Sequence, residues 1–142
     1  MPTIIELQDE PDITRAFPLM SQLRDRIHAE TFVAEVRRQQ ADGYHLIAAI
    51  EADRIVGLAG IRRSHTLSRG PHLFVDDLVT DDARRGRGVG TALMAWLEGL
   101  ARAEGLPRIY LDSRATAQGF YEKLGFTFLT AVPSWKDVAG TA

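Results

Sequence analysis

One passage limits the fold more than any other: HLFVDDLVT (His72 to Thr80), then DDARRGRGVGT, then a run through TALMAWLEGLARAEG. The first part is rich in β-formers and reads as a strand. In the last, Val89, Leu93, Leu97 and Leu100 recur at steps of three and four, which mark one face of a helix, and Gly105-Leu106-Pro107 stops it. RIYLDS follows as another strand. Strand, loop, helix and strand make a crossover, so the two strands must run parallel. The connecting loop packs three arginines and three glycines into the stretch from Arg84 to Gly90. Glycine lets peptide N–H groups approach a ligand closely, and arginine adds fixed positive charge. At the positive end of a helix dipole they predict an anion site. No lysine precedes Thr91, as a Walker loop requires, and the Gly86-x-Gly88-x-Gly90 spacing is not the dinucleotide fingerprint.

The rest of the chain supplies a sheet and its cover. TIIELQ reads as a first strand. A helical region opens at Pro11-Asp12, with Pro18 as a kink or restart, and a second helix runs from about Ala29 to Gln40. Tyr44 to Glu51 and RIVGLAGIRRS form a hairpin about the turn Ala52-Asp53-Arg54, and HTLSRGP is a loop. ATAQGFYEKLGF is a short helix closed by Gly125, and FTFLTAVPSWKDV adds one or two strands. The order predicts an α/β fold: a mixed sheet with helices on both faces, in a single domain over 1–142.

Bulk properties narrow the function. The formal net charge of −2 argues against nucleic acid or a membrane surface as partner, and basic and aromatic residues do not interleave. The absence of cysteine excludes disulfides, thiolate metal sites and a cysteine nucleophile. The histidines at 28, 45, 65 and 72 lack ligand spacing, so no metal is expected. MPTIIELQDEPD lacks the basic start and apolar run of a secretory signal, and no stretch is long enough to span a membrane; a cytoplasmic protein is expected.

Arg85-Gly86-Arg87-Gly88-Val89-Gly90 resembles the R/Q-x-x-G-x-G/A signature of the GCN5-related N-acetyltransferase (GNAT) superfamily. VDDLVTDD before it, the helix after it and FYEKLGF (Phe120 to Phe126) are similar to that family too, strongly over about 72–128 and weakly before residue 44. The resemblance implies the GNAT acyl-CoA N-acyltransferase fold, with a mostly antiparallel sheet whose fourth and fifth strands are parallel. It implies an acetyltransferase moving acetyl from acetyl-CoA to a primary amine, on a small molecule or a peptide, by direct transfer in a ternary complex. The alternative is a sensor that binds acyl-CoA without turnover. Such a fold is also compatible with a homodimer.

By the same resemblance the amides of Arg87, Gly88, Val89, Gly90 and Thr91 hold the coenzyme diphosphate, with Gly86 in the turn and Arg84, Arg85 and Arg87 adding charge. Leu78 or Val79 offers the carbonyl oxygen a main-chain amide, and the segment through Thr80 bonds the pantetheine arm like an added strand. Ser113, Phe120 and Lys123 are further coenzyme contacts. Arg114 stands where many relatives carry an asparagine that touches the coenzyme. Acetyl transfer needs an acid for the departing thiolate, and Tyr121 is the candidate. It also needs a base for the amine, and Asp76 and Asp77 are candidates. Strand alternation sends the two to opposite faces, and a bulge would let Asp77 face the cleft.

Overall fold

Strand β1 (Thr3–Leu7) leads to helix α1 (Glu10–Leu23), helix α2 (Phe32–Ala41), strands β2 (Tyr44–Glu51), β3 (Arg54–Thr66) and β4 (Gly70–Thr80), helix α3 (Val89–Ala103), strand β5 (Ile109–Leu111) and helix α4 (Gln118–Lys123). The structure, a computed structural model, describes residues 1–84 and 86–141. The chain divides into two compact units, Met1–Leu111 and Asp112–Ala142.

The first unit holds a sheet of order β1-β2-β3-β4-β5, antiparallel throughout except for the parallel β4–β5 pair that the crossover demands. Helix α1 starts where Asp9 accepts the Asp12 N–H at 3.0 Å, a side-chain cap for an otherwise unsatisfied donor. It continues through Pro18 without a break, so Pro18 neither ends nor restarts it. Helix α2 begins at Phe32, three residues later than the expected start at Ala29. The β3–β4 hairpin extends into the expected loop, leaving only 67–69 as the turn.

Alternation along the strands gives the sheet two apolar faces. Leu46, Ala48 and Leu58 pack with Ile13, Ala16, Met20, Phe32 and Val36 of α1 and α2. On the other face, Val89 and Leu93 of α3 fill the room above Gly57. Helices therefore cover both sides. The register of β3 against β4 slips once: Ile61 faces Val75 and Gly60 faces Asp77, which makes Asp76 the extra residue of a bulge.

In the second unit α4 ends in a Schellman turn. Phe126 N–H reaches Tyr121 C=O at 3.1 Å, Gly125 N–H reaches Glu122 C=O at 3.0 Å, and Gly125 takes φ 91°. The further strands expected after Phe126 do not form among the described residues. Pro133 has no N–H for a ladder, and the Ser134 hydroxyl donates to Val132 C=O instead. Trp135 is exposed. No helix among the described residues is long and apolar enough to cross a membrane.

Candidate active site

The mouth of α3 is built from main chain. Gly88 sits at its N-cap with φ 78°, a left-handed conformation that side-chain-bearing residues adopt at a cost. Ala92 N–H closes the first intrahelical bond onto Gly88 C=O at 2.9 Å. No side chain caps the turn. The amides of Val89, Gly90 and Thr91 thus stand as helix-end donors beside the positive pole of the dipole. Val89 itself is core, so it offers only its amide. Arg87 and Thr91 are exposed. Arg84 is half-buried and lies 3.5 Å from Glu51, which anchors the loop to β2. Arg85 lies outside the described residues. A bare, glycine-lined helix end flanked by arginines suits the diphosphate of a coenzyme.

The second main-chain feature is the outer edge of β4. Strand β5 pairs only with Leu73, Phe74 and Val75, so β4 beyond the bulge has no ladder partner on that side among the described residues. Asp81 N–H donates to Val56 C=O on the β3 side. Counting back by alternation, the Val79 amide also turns toward β3, and those of Leu78 and Thr80 turn to the open edge.

The third feature is built from side chains. An open cleft of about 490 Å³ is lined by Arg24, Gln39, Asp42, Tyr44, Arg62, Asp76 and Asp77. The bulge turns Asp77 to the cleft as expected, and because the extra residue breaks the two-residue alternation Asp76 lines it too, instead of facing the opposite side. Asp77 accepts the Tyr44 hydroxyl at 2.7 Å and the Arg24 Nε at 2.9 Å. Arg24 also donates to the Asp76 main-chain carbonyl at 2.8 Å, tying the residue after α1 to the bulge. Asp76 is held at both oxygens by Arg62, at 2.6 and 2.8 Å. Burial, and then the Asp77 carboxylate, push the Tyr44 hydroxyl well above its ordinary pKa, so it remains a donor. Gly60 is required here, because the space a Cβ would fill is taken by the Tyr44 hydroxyl and an Asp77 oxygen.

Tyr121 belongs to the second unit. It is buried, with ring centroids 5.1 Å from Phe120 and 5.4 Å from Phe126. The Phe126 contact joins the two ends of the Schellman turn, so the spacing of FYEKLGF is what fixes this ring. Burial raises its hydroxyl pKa above the ordinary value. Ser113 donates to Arg114 C=O at 2.8 Å, Phe120 is half-buried and Lys123 is exposed. Among the described residues no cluster of His, Cys, Asp and Glu could hold a metal ion.

The sequence pointed to Asp76 and Asp77 but not to Arg24, Gln39, Asp42, Tyr44, Gly60 and Arg62 as parts of one site. A glycine inside a strand pattern was the available signal for the bulge.

The acetyltransferase (GNAT) family model matches residues 6–126. The chain therefore belongs to the GNAT acetyltransferase family. It is 32% identical over 127 residues to the uncharacterised N-acetyltransferase YhdJ of Bacillus subtilis (strain 168), covering 86% of this chain and 89% of that one. It is 33% identical over 96 residues to the glucosamine 6-phosphate N-acetyltransferase of Trypanosoma brucei brucei, covering 66% and 65% of the two chains. Its fold is similar to that of AAC(6')-Iy in complex with the bisubstrate analogue CoA-S-monomethyl-acetylneamine, with a TM-score of 0.82 at 19% identity over 98% of this chain and 99% of that one.

Proposed function

We propose that residues 1–142 act as one catalytic domain, in the cytoplasm, that transfers acetyl from acetyl-CoA directly to a primary amine in a ternary complex. The observation that carries this reading is main chain left open in two adjoining places: the uncapped start of α3 and the outer edge of β4 beyond its bulge. A diphosphate fits the first, at the amides of Arg87 to Thr91, with Gly86 in the turn and Arg84, Arg85 and Arg87 supplying charge. An extended pantetheine arm fits the second, bonding Leu78 and Thr80 as an added strand would. Ser113, Phe120 and Lys123 complete the coenzyme contacts. The relatives named for glucosamine 6-phosphate and for a CoA bisubstrate complex are consistent with a small-molecule acceptor.

The amine arrives as an ammonium with a pKa near 10.4 and must lose a proton before attack. Asp77 is the base. Both Asp76 oxygens face the Arg62 guanidinium, whereas the Asp77 oxygen turned away from Arg24 accepts only the neutral Tyr44 hydroxyl and keeps a lone pair for a substrate proton or a water. Nitrogen then attacks the thioester carbon, and the oxygen gains negative charge. Of the two candidate amides, alternation favours Leu78 over Val79 as its donor. As the C–S bond breaks, the sulfur takes the pair and a proton from the Tyr121 hydroxyl. A phenol raised by burial is fully protonated at neutral pH and available to give that proton.

The test is free-thiol release from acetyl-CoA across a panel of amines: amino sugars, amino acids, polyamines and lysine peptides. Amine-dependent release supports the proposal. Coenzyme binding with no release against any amine would leave only the sensor.

A further inference from the structure

The acceptor cleft carries one charge too many. Arg62 pairs with Asp76 and Arg24 with Asp77, which cancels four of its five charged side chains. Asp42 is the fifth, and among the described residues its carboxylate has no partner. Its position makes this more pointed. Asp42 is the C-cap of α2, where its own N–H turns back to Gln39 and Gln40 carbonyls. A helix C-terminus already carries partial negative charge, so an acid there opposes the dipole and weakens the fold. Local rules broken without a structural return mark functional positions. Gln39, one turn of chain earlier, also faces the cleft with no side-chain partner. Apart from the Tyr44 ring, no apolar side chain among the described residues lines the space.

Resting on the transferase reading above, we propose that the acceptor is a hydroxyl-rich or otherwise polar amine of net positive charge, lacking phosphate or carboxylate. Asp42 and the last carbonyls of α2 receive its cationic group, and Gln39 bonds its neutral polar atoms. An acceptor bearing an anion meets the opposite situation. Its phosphate would have to compete with Asp76 and Asp77 for guanidiniums already forked onto them, next to an unbalanced Asp42. The chain would then differ in acceptor from its glucosamine 6-phosphate relative.

The test uses the intact chain, acetyl-CoA and amines matched in pairs: glucosamine with glucosamine 6-phosphate, ethanolamine with phosphoethanolamine, cadaverine with lysine. In each pair that reacts, kcat/KM should favour the member without the anion by about 10-fold or more at low salt, an effect of the size expected from one facing charge. The preference should shrink as salt is raised. Asp42→Asn should reduce it to within about 3-fold, through KM rather than kcat, while Tm holds or rises because the dipole conflict is gone. Asp42→Glu should restore it. A better reaction with the anionic members, or a preference unchanged in Asp42→Asn, overturns this inference and leaves the transferase reading standing. Failure of every amine tested to release thiol overturns both.

Discussion

The two sides proposed for donor and acceptor are made of different materials. The mouth of α3 and the open edge of β4 offer main-chain groups: Val89 turns its side chain into the core and Gly86 and Gly88 have none, while Arg84 and Arg87 add only charge around them. The cleft offers side chains brought from five stretches of sequence: Arg24, Gln39 with Asp42, Tyr44, Arg62, and Asp76 with Asp77. A shared coenzyme suits the first construction, because backbone geometry survives sequence change. A variable acceptor suits the second, because single substitutions re-set its charge. Variants should therefore separate cleanly by which side they touch.

The largest effect belongs to neither binding side. If Tyr121 is the acid, as proposed, Tyr121→Phe should lower kcat by about 10²- to 10⁴-fold with coenzyme affinity retained, as steady-state rates and calorimetry would read. Gly60→Ala attacks the cleft through packing, forcing apart the Tyr44 hydroxyl and Asp77, and should cost about 3 kcal/mol in urea denaturation. Gly88→Ala attacks the backbone side. The left-handed N-cap makes it cost about 1–2 kcal/mol, and coenzyme Kd should rise about tenfold while acceptor KM stays put.

A pH series sharpens the contrast further. Tyr44 and Tyr121 both have hydroxyl pKa values raised by burial. Unfolded tyrosine ionises near pH 10, so above that pH the unfolded chain sheds protons that the folded chain keeps. Stability should therefore fall as pH climbs past about 10, and Tyr44→Phe should flatten the fall in denaturation midpoints between pH 9 and 11. The smallest effect lies away from the site, at the exposed Arg63–Glu104 pair. Glu104→Gln should change stability by less than about 1 kcal/mol, since solvent screens such pairs.

The same division explains what could be read from the sequence. The α3 mouth was legible because a strand, a glycine loop and a helical stripe are contiguous, and the crossover rule then fixed β4 parallel to β5. The helix end that carries Tyr121 was legible because FYEKLGF encodes it within seven residues of chain. The cleft was not. Whether Asp76 and Asp77 share a face depends on one inserted residue, and Tyr44 reaches Asp77 only because Gly60 has no side chain. Those facts depend on register between strands, which local patterns do not carry. The run after Phe126 failed for a related reason: strand-forming residues make a strand only where a ladder partner exists, and Leu129, Val132, Trp135 and Val138 remain exposed.

The central claim is that bare amides at the start of α3 hold the coenzyme, apart from the charged cleft. Calorimetry with acetyl-CoA tests it most directly, using the native chain beside Gly88→Ala and Arg24→Ala. Saturable heat in the native chain, weakened about tenfold by the first change and untouched by the second, is the predicted result. No heat from the folded native chain, or a loss that follows Arg24 in place of Gly88, would contradict it.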